Sequence, residues 1–434
     1  MNMNFLEKHG LNKYIEYFIF IALFLVPFQY LGFGFDISSK NYDVTFFIIY
    51  LVLFFLFLNK INYNYIFFII IFYFVQLFLF LGFFYFDNLE IPHYMHYHEY
   101  KLFPKFLISF FTINLYFLIL FYRKDFKLNY NILLYVFLIT LIISIFYLYY
   151  QYFINNFSNN IRYQSTFNEP TYAGIFLYSS FLSICVLIFY EKNYYKKFIY
   201  ILLSLLVLYS AFLTKSLHMI SLILSLSFIL FFIITLRKKM NPTYSFFVCV
   251  LLLFICILLF YQIDFVHEKI DISIITNEKL NYDFGNRFAP QISLYVWLQN
   301  LEQSFATLKI SPIIGLGSGS IGFFKFDSFF FNVINYRFVT TLNLNDGYSL
   351  IFYLLIQYGL ILVIPLIFFI ILNSIKFIKN NFIENTSNRA SIAQKFFFVF
   401  SLTCLIGALI KEPNLSRSTL IFSFLIYSLV TNEN

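Results

Sequence analysis

Charged side chains that could do chemistry are rare in this sequence, and two of them lie in the polar segment 155–170. Arg162 and Glu169 stand there, directly before a long apolar run. Asn168 can cap the helix that this run predicts, and Pro170 is tolerated in its first turn, so Glu169 would lie at the positive end of the helix dipole. Glu169 is therefore either a carboxylate that stabilises the helix or an acid–base group that binds an acceptor hydroxyl.

A second polar segment, 263–343, interrupts the apolar sequence for longer. Within it, apolar residues at steps of three and four predict an amphipathic helix: Leu294, Leu298, Leu301, Phe305 and Leu308. Pro312 ends this helix because proline has no N–H to donate. Gly315 and Gly317 follow, where the backbone can approach a neighbour closely. With Arg287 and Trp297 at the start of the helix, this is where we expect a substrate to bind.

Basic residues also stand beside apolar runs, where a charge is expensive: Arg162, Lys215, Arg287, Arg337, Lys411 and Arg417. A cation drawn into the bilayer costs roughly 2.5–3.5 kcal/mol, a cost that usually signals a partner. A group of cations above an apolar bundle suits a lipid-linked diphosphate, whose head binds charge while its tail enters between helices. The alternatives are ordinary interfacial anchors and, for Arg162, an ion pair with Glu169.

Asp346 and a cluster of histidines are further ionisable residues that could do chemistry. Asp346 precedes an apolar run in the stretch NDGYSL, where it is either a helix cap or a general base. His93, His96 and His98 are spaced so that they do not share one face of a helix, and a second half-site is missing from the sequence. We therefore expect no metal site.

Composition determines which elements hold these residues. The chain has 434 residues, of which 61% are hydrophobic and only 12% charged, and this excludes a soluble globule. Apolar runs of about 20 residues recur from end to end, so the sequence predicts an all-α polytopic membrane protein. We expect about 12 spans, at 14–34, 43–58, 64–85, 106–122, 129–154, 171–190, 198–214, 217–236, 243–262, 344–372, 396–411 and 418–431.

The distribution of Lys and Arg predicts the orientation of these spans. The basic residues of the short connecting segments concentrate in alternate segments, which places both termini in the cytoplasm. The segments 155–170 and 263–343 then lie on the opposite face, in the periplasm of a bacterium with two membranes. We expect 1–434 to form a single integral membrane domain, with no nucleic-acid partner.

Four stretches occur in an order that is informative: Arg162 followed by NEPTYAG at 168–174, LTKS at 213–216, Arg287 through Trp297 to SPIIGLGSG at 311–319, and NDGYSLIFYLLIQYGLIL at 345–362. Together they resemble the O-antigen polymerase and O-antigen ligase superfamily of bacterial envelope glycosyltransferases. That family usually has a Ser-Arg pair in the turn at LTKS; here Leu217 follows Ser216, and Lys215 would substitute for the arginine. The resemblance covers about 155–365.

The resemblance implies a GT-C-like, inverting glycosyltransferase of the bacterial inner membrane that acts without a metal or cofactor in lipopolysaccharide biosynthesis. The donor would be a glycan on undecaprenyl diphosphate, and the acceptor the terminal sugar of another lipid-linked repeat unit. The implied site residues are Arg162, Lys215, Arg287, Arg337 and Arg417 for the diphosphate, Glu169 or Asp346 with Arg287 for catalysis, and Trp297, Gly315, Gly317 and Tyr348 for sugars. A chain-length regulator and a flippase would be its partners, besides membrane lipids.

Two other functions compete with a polymerase. An O-antigen ligase, which transfers glycan to lipid A-core, typically carries a histidine where this chain has Asn345, Asp346, Gly347 and Tyr348. A flippase or other transporter of lipid-linked oligosaccharide should show internal two-fold symmetry and charges at mid-membrane. Here the polar features stand on one predicted face, which favours surface chemistry over transport.

Overall fold

The part of the chain that the computed structural model describes is helical throughout its regular elements and contains no β-strand. The described residues are 17, 19, 21, 63–86, 102–125, 128–155, 163, 165, 170–216, 218–236, 250, 292–318, 320, 349–383, 390–411 and 418–432. Eleven α-helices lie in these ranges: α1 Tyr63–Phe86, α2 Leu102–Tyr122, α3 Tyr130–Ile154, α4 Pro170–Tyr190, α5 Tyr194–Leu213, α6 Met219–Leu236, α7 Ile292–Ile310, α8 Leu350–Tyr358, α9 Leu360–Ile378, α10 Ile392–Lys411 and α11 Ser418–Asn432.

Helix length and composition agree with the apolar runs of the sequence. Five described helices are long and apolar enough to cross a membrane: α3, α4, α5, α9 with the π-helical turn Lys379–Ile383, and α10. The predicted spans 64–85, 106–122, 217–236 and 418–431 also coincide with helices. The predicted span 344–372 is two helices, α8 and α9, that meet at Gly359. The predicted spans 14–34, 43–58 and 243–262 lie outside the described residues except at 17, 19, 21 and 250.

Helix α10 lies at the centre of the bundle. It packs against α4 and α11 most extensively, and also against α6, α8 and α3. Its phenylalanines Phe396, Phe397, Phe398 and Phe400 are all buried although they point in different directions around the helix. A helix that is apolar all round is stable only when other elements surround it, which explains why this sequence forms the core.

Helices at the periphery expose large apolar side chains instead. Phe74 and Phe78 on α1, Phe146 on α3 and Phe368 on α9 are all more than half exposed. Such side chains are costly against water but not against hydrocarbon, because lipid tails are as apolar as leucine. The outer surface of the bundle is therefore suited to lipid contact.

The bundle has two ends that the later sections distinguish. At the Trp297 end, α4, α6 and α11 begin while α3, α5 and α10 finish. At the Arg123 end, α2 and α9 finish while α3, α5 and α10 begin. At the Arg123 end, Lys395 of α10 is buried with its Nζ 4.0 Å from the ring centroid of Tyr190, so an aromatic ring stabilises this cation.

Candidate functional site at the Trp297 end

The turn between α5 and α6 holds Lys215 in an unusual conformation. Its φ is +48°, in the left-handed region, and its N–H donates to the carbonyl of Phe212 at 2.9 Å. A non-glycine residue in this region costs about 1–2 kcal/mol, so glycine is the usual choice at such a helix end. Thr214 and Ser216 on either side are completely buried, whereas Lys215 is partly exposed. The turn therefore presents a cation from a rigid backbone.

Helix α4 packs closely against this turn at Gly174. A Cβ added at Gly174 would lie 2.3 Å from the Cβ of Ser216 and 3.1 Å from the Oγ1 of Thr214. No side chain larger than hydrogen fits at 174. The hydroxyl of Ser216 accepts from the backbone N–H of His218 at 3.3 Å, and His218 is buried. The start of α4 and the Lys215 turn consequently form one tightly packed unit.

The segment 155–170 reaches this unit through Tyr163. The N–H of Tyr163 donates to the carbonyl of Leu213 at 3.3 Å, two residues before Lys215. The Tyr163 side chain is buried and packs edge-on against Tyr152 at 5.3 Å, and burial raises the pKa of its phenol. Arg162, which precedes Tyr163, lies outside the described residues, but its neighbour is attached to the Lys215 turn.

Ser165 attaches the same segment to α3. Its N–H donates to Gln151 Oε1 at 3.0 Å, its carbonyl accepts from Gln151 Nε2 at 3.1 Å, and its hydroxyl donates to the carbonyl of Ser144. Its φ of +55° is also left-handed. In the part of the chain that is described, Ser165 and Lys215 are the two non-glycine residues with this conformation. Strained backbone clusters at functional sites, which makes this end the candidate.

Trp297 braces α7 against the end of α10. Its indole Nε1 donates to the carbonyl of Ile410 at 3.1 Å, and its ring packs against Phe352 of α8 at 5.1 Å. The hydroxyl of Ser349 donates to the neighbouring carbonyl of Leu409 at 2.6 Å. Two carbonyls in the last turn of α10, which have no partner within the helix, are thereby satisfied. The predicted sugar contact of Trp297 would use its ring, because its N–H is already donated.

Helix α7 forms where the periodicity predicts and ends before Ser311 and Pro312, so this prediction is confirmed. The side of α7 that is buried, however, is polar. Gln299 and Asn300 are 1% and 2% exposed, while Phe305 of the apolar stripe is 57% exposed. The other buried polar side chains of this face are Gln303, Ser304 and Thr307. Helix α7 thus buries amides and hydroxyls and leaves Phe305 exposed; Asn300, Ser304 and Thr307 donate to carbonyls of α7 itself.

The glycine turn after α7 is joined to the break between α8 and α9 by four backbone hydrogen bonds. The N–H groups of Leu316 and Gly317 donate to Ile356 and Gln357 at 2.9 and 3.0 Å, and those of Leu360 and Ile361 donate to Pro312 and Ile313 at 3.0 and 2.9 Å. Gly315 and Gly359 have φ of +66° and +63°. The close approach predicted for this turn is therefore made to the chain's own backbone.

Buried polar groups surround this junction. Ser318 donates to the hydroxyl of Tyr358 at 3.0 Å. Gln299 Oε1 and Ser320 Oγ are buried and have no hydrogen-bond partner among the described residues. Unsatisfied buried acceptors and donors are costly, and a ligand with hydroxyl groups would satisfy both. Gln299, Gln303 and Ser320 were missed from sequence, although polar residues at steps of three and four on α7 are visible beside its apolar stripe.

The predicted site residues divide into two sets. Lys215, Trp297, Gly315 and Gly317 are described. Lys215 lies at the same end as Trp297, and contacts connect the two: Gly174 meets Ser216, Ile175 of α4 meets Gly407 of α10, and Ile410 accepts from Trp297. Gly315 and Gly317 lie instead against the break between α8 and α9.

The second set lies outside the described residues: Arg162, Glu169, Arg287, Arg337, Asp346, Tyr348 and Arg417. The histidines His93, His96 and His98 also lie outside them. Among the residues that are described, no group of three or more His, Cys, Asp or Glu side chains is arranged to hold a metal ion.

Comparison with known proteins gives no match to a protein-family model, a curated protein or a solved structure. The fold itself defines the class: the chain is an all-α membrane protein, because its described helices are apolar, several are long enough to cross a bilayer, and their outer faces are hydrocarbon-like.

Proposed function

We propose that this protein is a glycosyltransferase that polymerises lipid-linked repeat units of a surface polysaccharide at the Trp297 end of the bundle. The observation that carries the proposal is the arrangement of this end. A rigid turn presents Lys215 and is attached to the segment that contains Arg162, while α7 buries a row of amides and hydroxyls a short distance away along α10. Cations suit a diphosphate, and amides and hydroxyls suit a sugar.

The proposed reaction is an inverting substitution at the anomeric carbon of the donor glycan. The oxygen of an acceptor hydroxyl attacks this carbon, and the bond from the carbon to the diphosphate oxygen breaks. Undecaprenyl diphosphate leaves with the bonding electrons, and the hydroxyl proton passes to a carboxylate, Glu169 or Asp346. Because the reaction needs no change of oxidation state, it requires no redox cofactor.

Each group of residues has a role in this proposal. Arg162, Lys215, Arg287, Arg337 and Arg417 would stabilise the charge that develops on the diphosphate, and one such contact is typically worth about 10²–10³ in rate. The carboxylate that takes the proton would contribute about 10²–10⁴. Gln299, Gln303 and Ser320, with Trp297, Tyr348 and the Gly315–Gly317 turn, would position the sugars. The bundle would lie in a bacterial inner membrane with its Trp297 end in the periplasm.

The decisive experiment gives the purified full chain, in detergent with EDTA, only the lipid-linked repeat unit of its own cell. We expect a ladder of lengthening glycans on a gel, with Arg162→Ala and Arg287→Ala slower by about 10²–10³. Transfer to added lipid A-core without a ladder would instead identify a ligase. Movement of the lipid-linked sugar across a liposome membrane, with neither product, would identify a flippase.

A matched pair of variants tests the polar face of α7 in the same assay. Gln299→Leu removes a buried amide whose Oε1 has no protein partner in the described part of the chain. We expect it to raise the KM for the acceptor roughly two- to tenfold, the worth of one hydrogen bond. Gln76→Leu is the control, because Gln76 on α1 is equally buried with an equally unpartnered Oε1. Equal KM values in the two variants would contradict a sugar-binding role for α7.

A further inference from the structure

A second candidate site is a cavity of about 350 Å³ between α2, α8, α9, α10 and α11, which extends from Leu350 and Leu409 beside the Trp297 end to Phe369 near Arg123. Residues of all five helices line it, among them Tyr116, Leu120, Leu354, Leu366, Phe369 and Phe424. Apart from the hydroxyl of Tyr116, every lining side chain is a hydrocarbon. The volume falls in the range of sites that bind small ligands.

The apolar wall restricts what can occupy this cavity. Ordered water needs polar partners, and this wall offers almost none. An empty apolar cavity destabilises a protein in proportion to its volume, so a hydrocarbon occupant is favoured. In a membrane the hydrocarbon at hand is an acyl chain. It gains nothing from the apolar wall that the bilayer does not already provide, so selectivity among lipids must come from the polar head.

Arg123 supplies a binding group for such a head. It follows α2 directly, and its Cζ lies 5.1 Å from the ring centroid of Phe369, one of the residues that line the cavity. Its Nη1 is buried and has no hydrogen-bond partner among the described residues. Tyr427 nearby donates its hydroxyl proton to the carbonyl of Ile370 at 2.6 Å and pairs with Ser374 at 2.8 Å.

The chemistry of the guanidinium decides the charge of the head. Arginine is always protonated in proteins, and its planar fork matches the oxygens of a phosphate. Lys124 beside it is exposed and adds a second positive charge. A cation with an unused donor at the edge of an apolar cavity is complementary to an amphiphile with an anionic phosphate and a hydrocarbon tail.

We propose that an anionic phospholipid of the bilayer binds here, with one acyl chain in the cavity and its phosphate on Arg123. The position of the head distinguishes this occupant from the lipid-linked substrate, whose diphosphate would bind among the cations of the Trp297 end. The phosphate at Arg123 lies at the opposite end of the bundle and comes from the opposite leaflet. The proposal stands whatever reaction the Trp297 end performs.

Native mass spectrometry of the purified full chain tests the head group. After exchange with vesicles of phosphatidylglycerol or of phosphatidylcholine, we expect one phosphatidylglycerol to be retained per chain and about tenfold less phosphatidylcholine. Arg123→Gln should lower phosphatidylglycerol to the phosphatidylcholine level, since it removes the charge-assisted hydrogen bonds. Lys124→Gln is the control and should stay within about twofold of the unmodified chain, because exposed charges are screened. Equal retention of both lipids, or by Arg123→Gln and the unmodified chain, would overturn the proposal.

Two further measurements test the tail. Leu366→Trp fills the cavity and should abolish lipid retention, whereas Ile364→Trp, on the exposed side of the same helix, should preserve it. Independently of any variant, phosphatidylglycerol with a photoreactive group at the end of its chain should form adducts on cavity residues such as Leu366 and Phe424. Adducts confined to exposed residues of the bundle surface, such as Phe67 and Phe74, would contradict a chain inside the cavity.

Discussion

At the scale of single residues, three cations of the described bundle have different environments. Lys395 is buried against the ring of Tyr190, and Arg123 lies over the ring of Phe369. Lys215 instead stands in a turn whose backbone is left-handed, with buried hydroxyl residues on both sides. A cation–π contact stabilises a charge in place, whereas Lys215 occupies a conformation that favours glycine.

The backbone of Lys215 allows its function to be tested apart from its fold. Lys215→Gly relieves a conformational cost of about 1–2 kcal/mol, so the variant should unfold in detergent at the same temperature or a higher one. If the ammonium group binds diphosphate, the rate of glycan polymerisation should nonetheless fall by about 10²–10³.

Two other lysine variants complete this test. Lys215→Arg should keep most of the activity, since it keeps the charge. Lys196→Ala, an exposed position on the first turn of the same helix α5, should leave the rate unchanged. A fully active Lys215→Gly variant would show that this lysine is only an interfacial anchor.

At the scale of elements, the junction of the glycine turn with α8 and α9 determines how the candidate site is held. The break at Gly359 leaves the carbonyls of Ile356 and Gln357 without their usual helical donors at 360 and 361, and the turn after α7 provides the replacements. In return, Pro312 and Ile313 accept the N–H groups that the break releases. An interrupted helix is tolerated within a membrane when another segment satisfies its backbone in this way.

Because of this junction, we expect one added methyl group at Gly359 to lower the stability of the protein. A Cβ at Gly359 would lie 2.6 Å from the backbone of Gly315 and Ile313, at a φ of +63°. Gly359→Ala should therefore lose at least about 1–2 kcal/mol of stability, measured as a lower unfolding temperature in detergent. Gly82→Ala on α1 is the control, because nothing lies within 4 Å of that position and alanine favours a helix by about 1 kcal/mol. Equal unfolding temperatures for the two variants would contradict the junction.

At the scale of the whole molecule, the bundle separates two polar regions by an apolar layer. The Lys215 turn and the buried amides of α7 lie at one end, and Arg123 and Lys395 lie at the other. The apolar surfaces of α1, α3 and α9 lie between them. Such a layout suits a protein that performs chemistry at one membrane surface and contacts lipid of the other leaflet.

The orientation of this bundle is a prediction that cysteine labelling tests. In a chain whose own four cysteines are replaced by alanine, Asn155→Cys and Tyr194→Cys place a thiol at the Trp297 and the Arg123 end respectively; both side chains are exposed. Because lysine and arginine are retained in the cytoplasm, a membrane-impermeant maleimide should label Asn155→Cys in intact cells. Tyr194→Cys should react only after the cells are opened. The reverse pattern would show that the Trp297 end faces the cytoplasm, which would exclude a periplasmic site there.

The amino-acid sequence alone predicted the class of this protein and the position of its described helices, except that the span 344–372 is divided into α8 and α9. An apolar run of the length that a bilayer requires must satisfy its backbone internally, so it becomes a helix wherever it packs. The sequence also predicted that α7 ends before Pro312, because proline has no N–H to donate. The start of α4 at Pro170 also lies where the sequence places it.

Only the tertiary structure decided which face of each helix is buried. Periodicity predicts an apolar stripe on α7 but not the side that it faces: Phe305 is exposed, whereas Gln299 and Gln303 are buried. The backbone exchange between the glycine turn and Gly359, and the insertion of Ser165 beneath Gln151, join residues far apart in the chain. Local periodicity carries no information about such partners, because their hydrogen bonds form only when the helices that bear them have packed together.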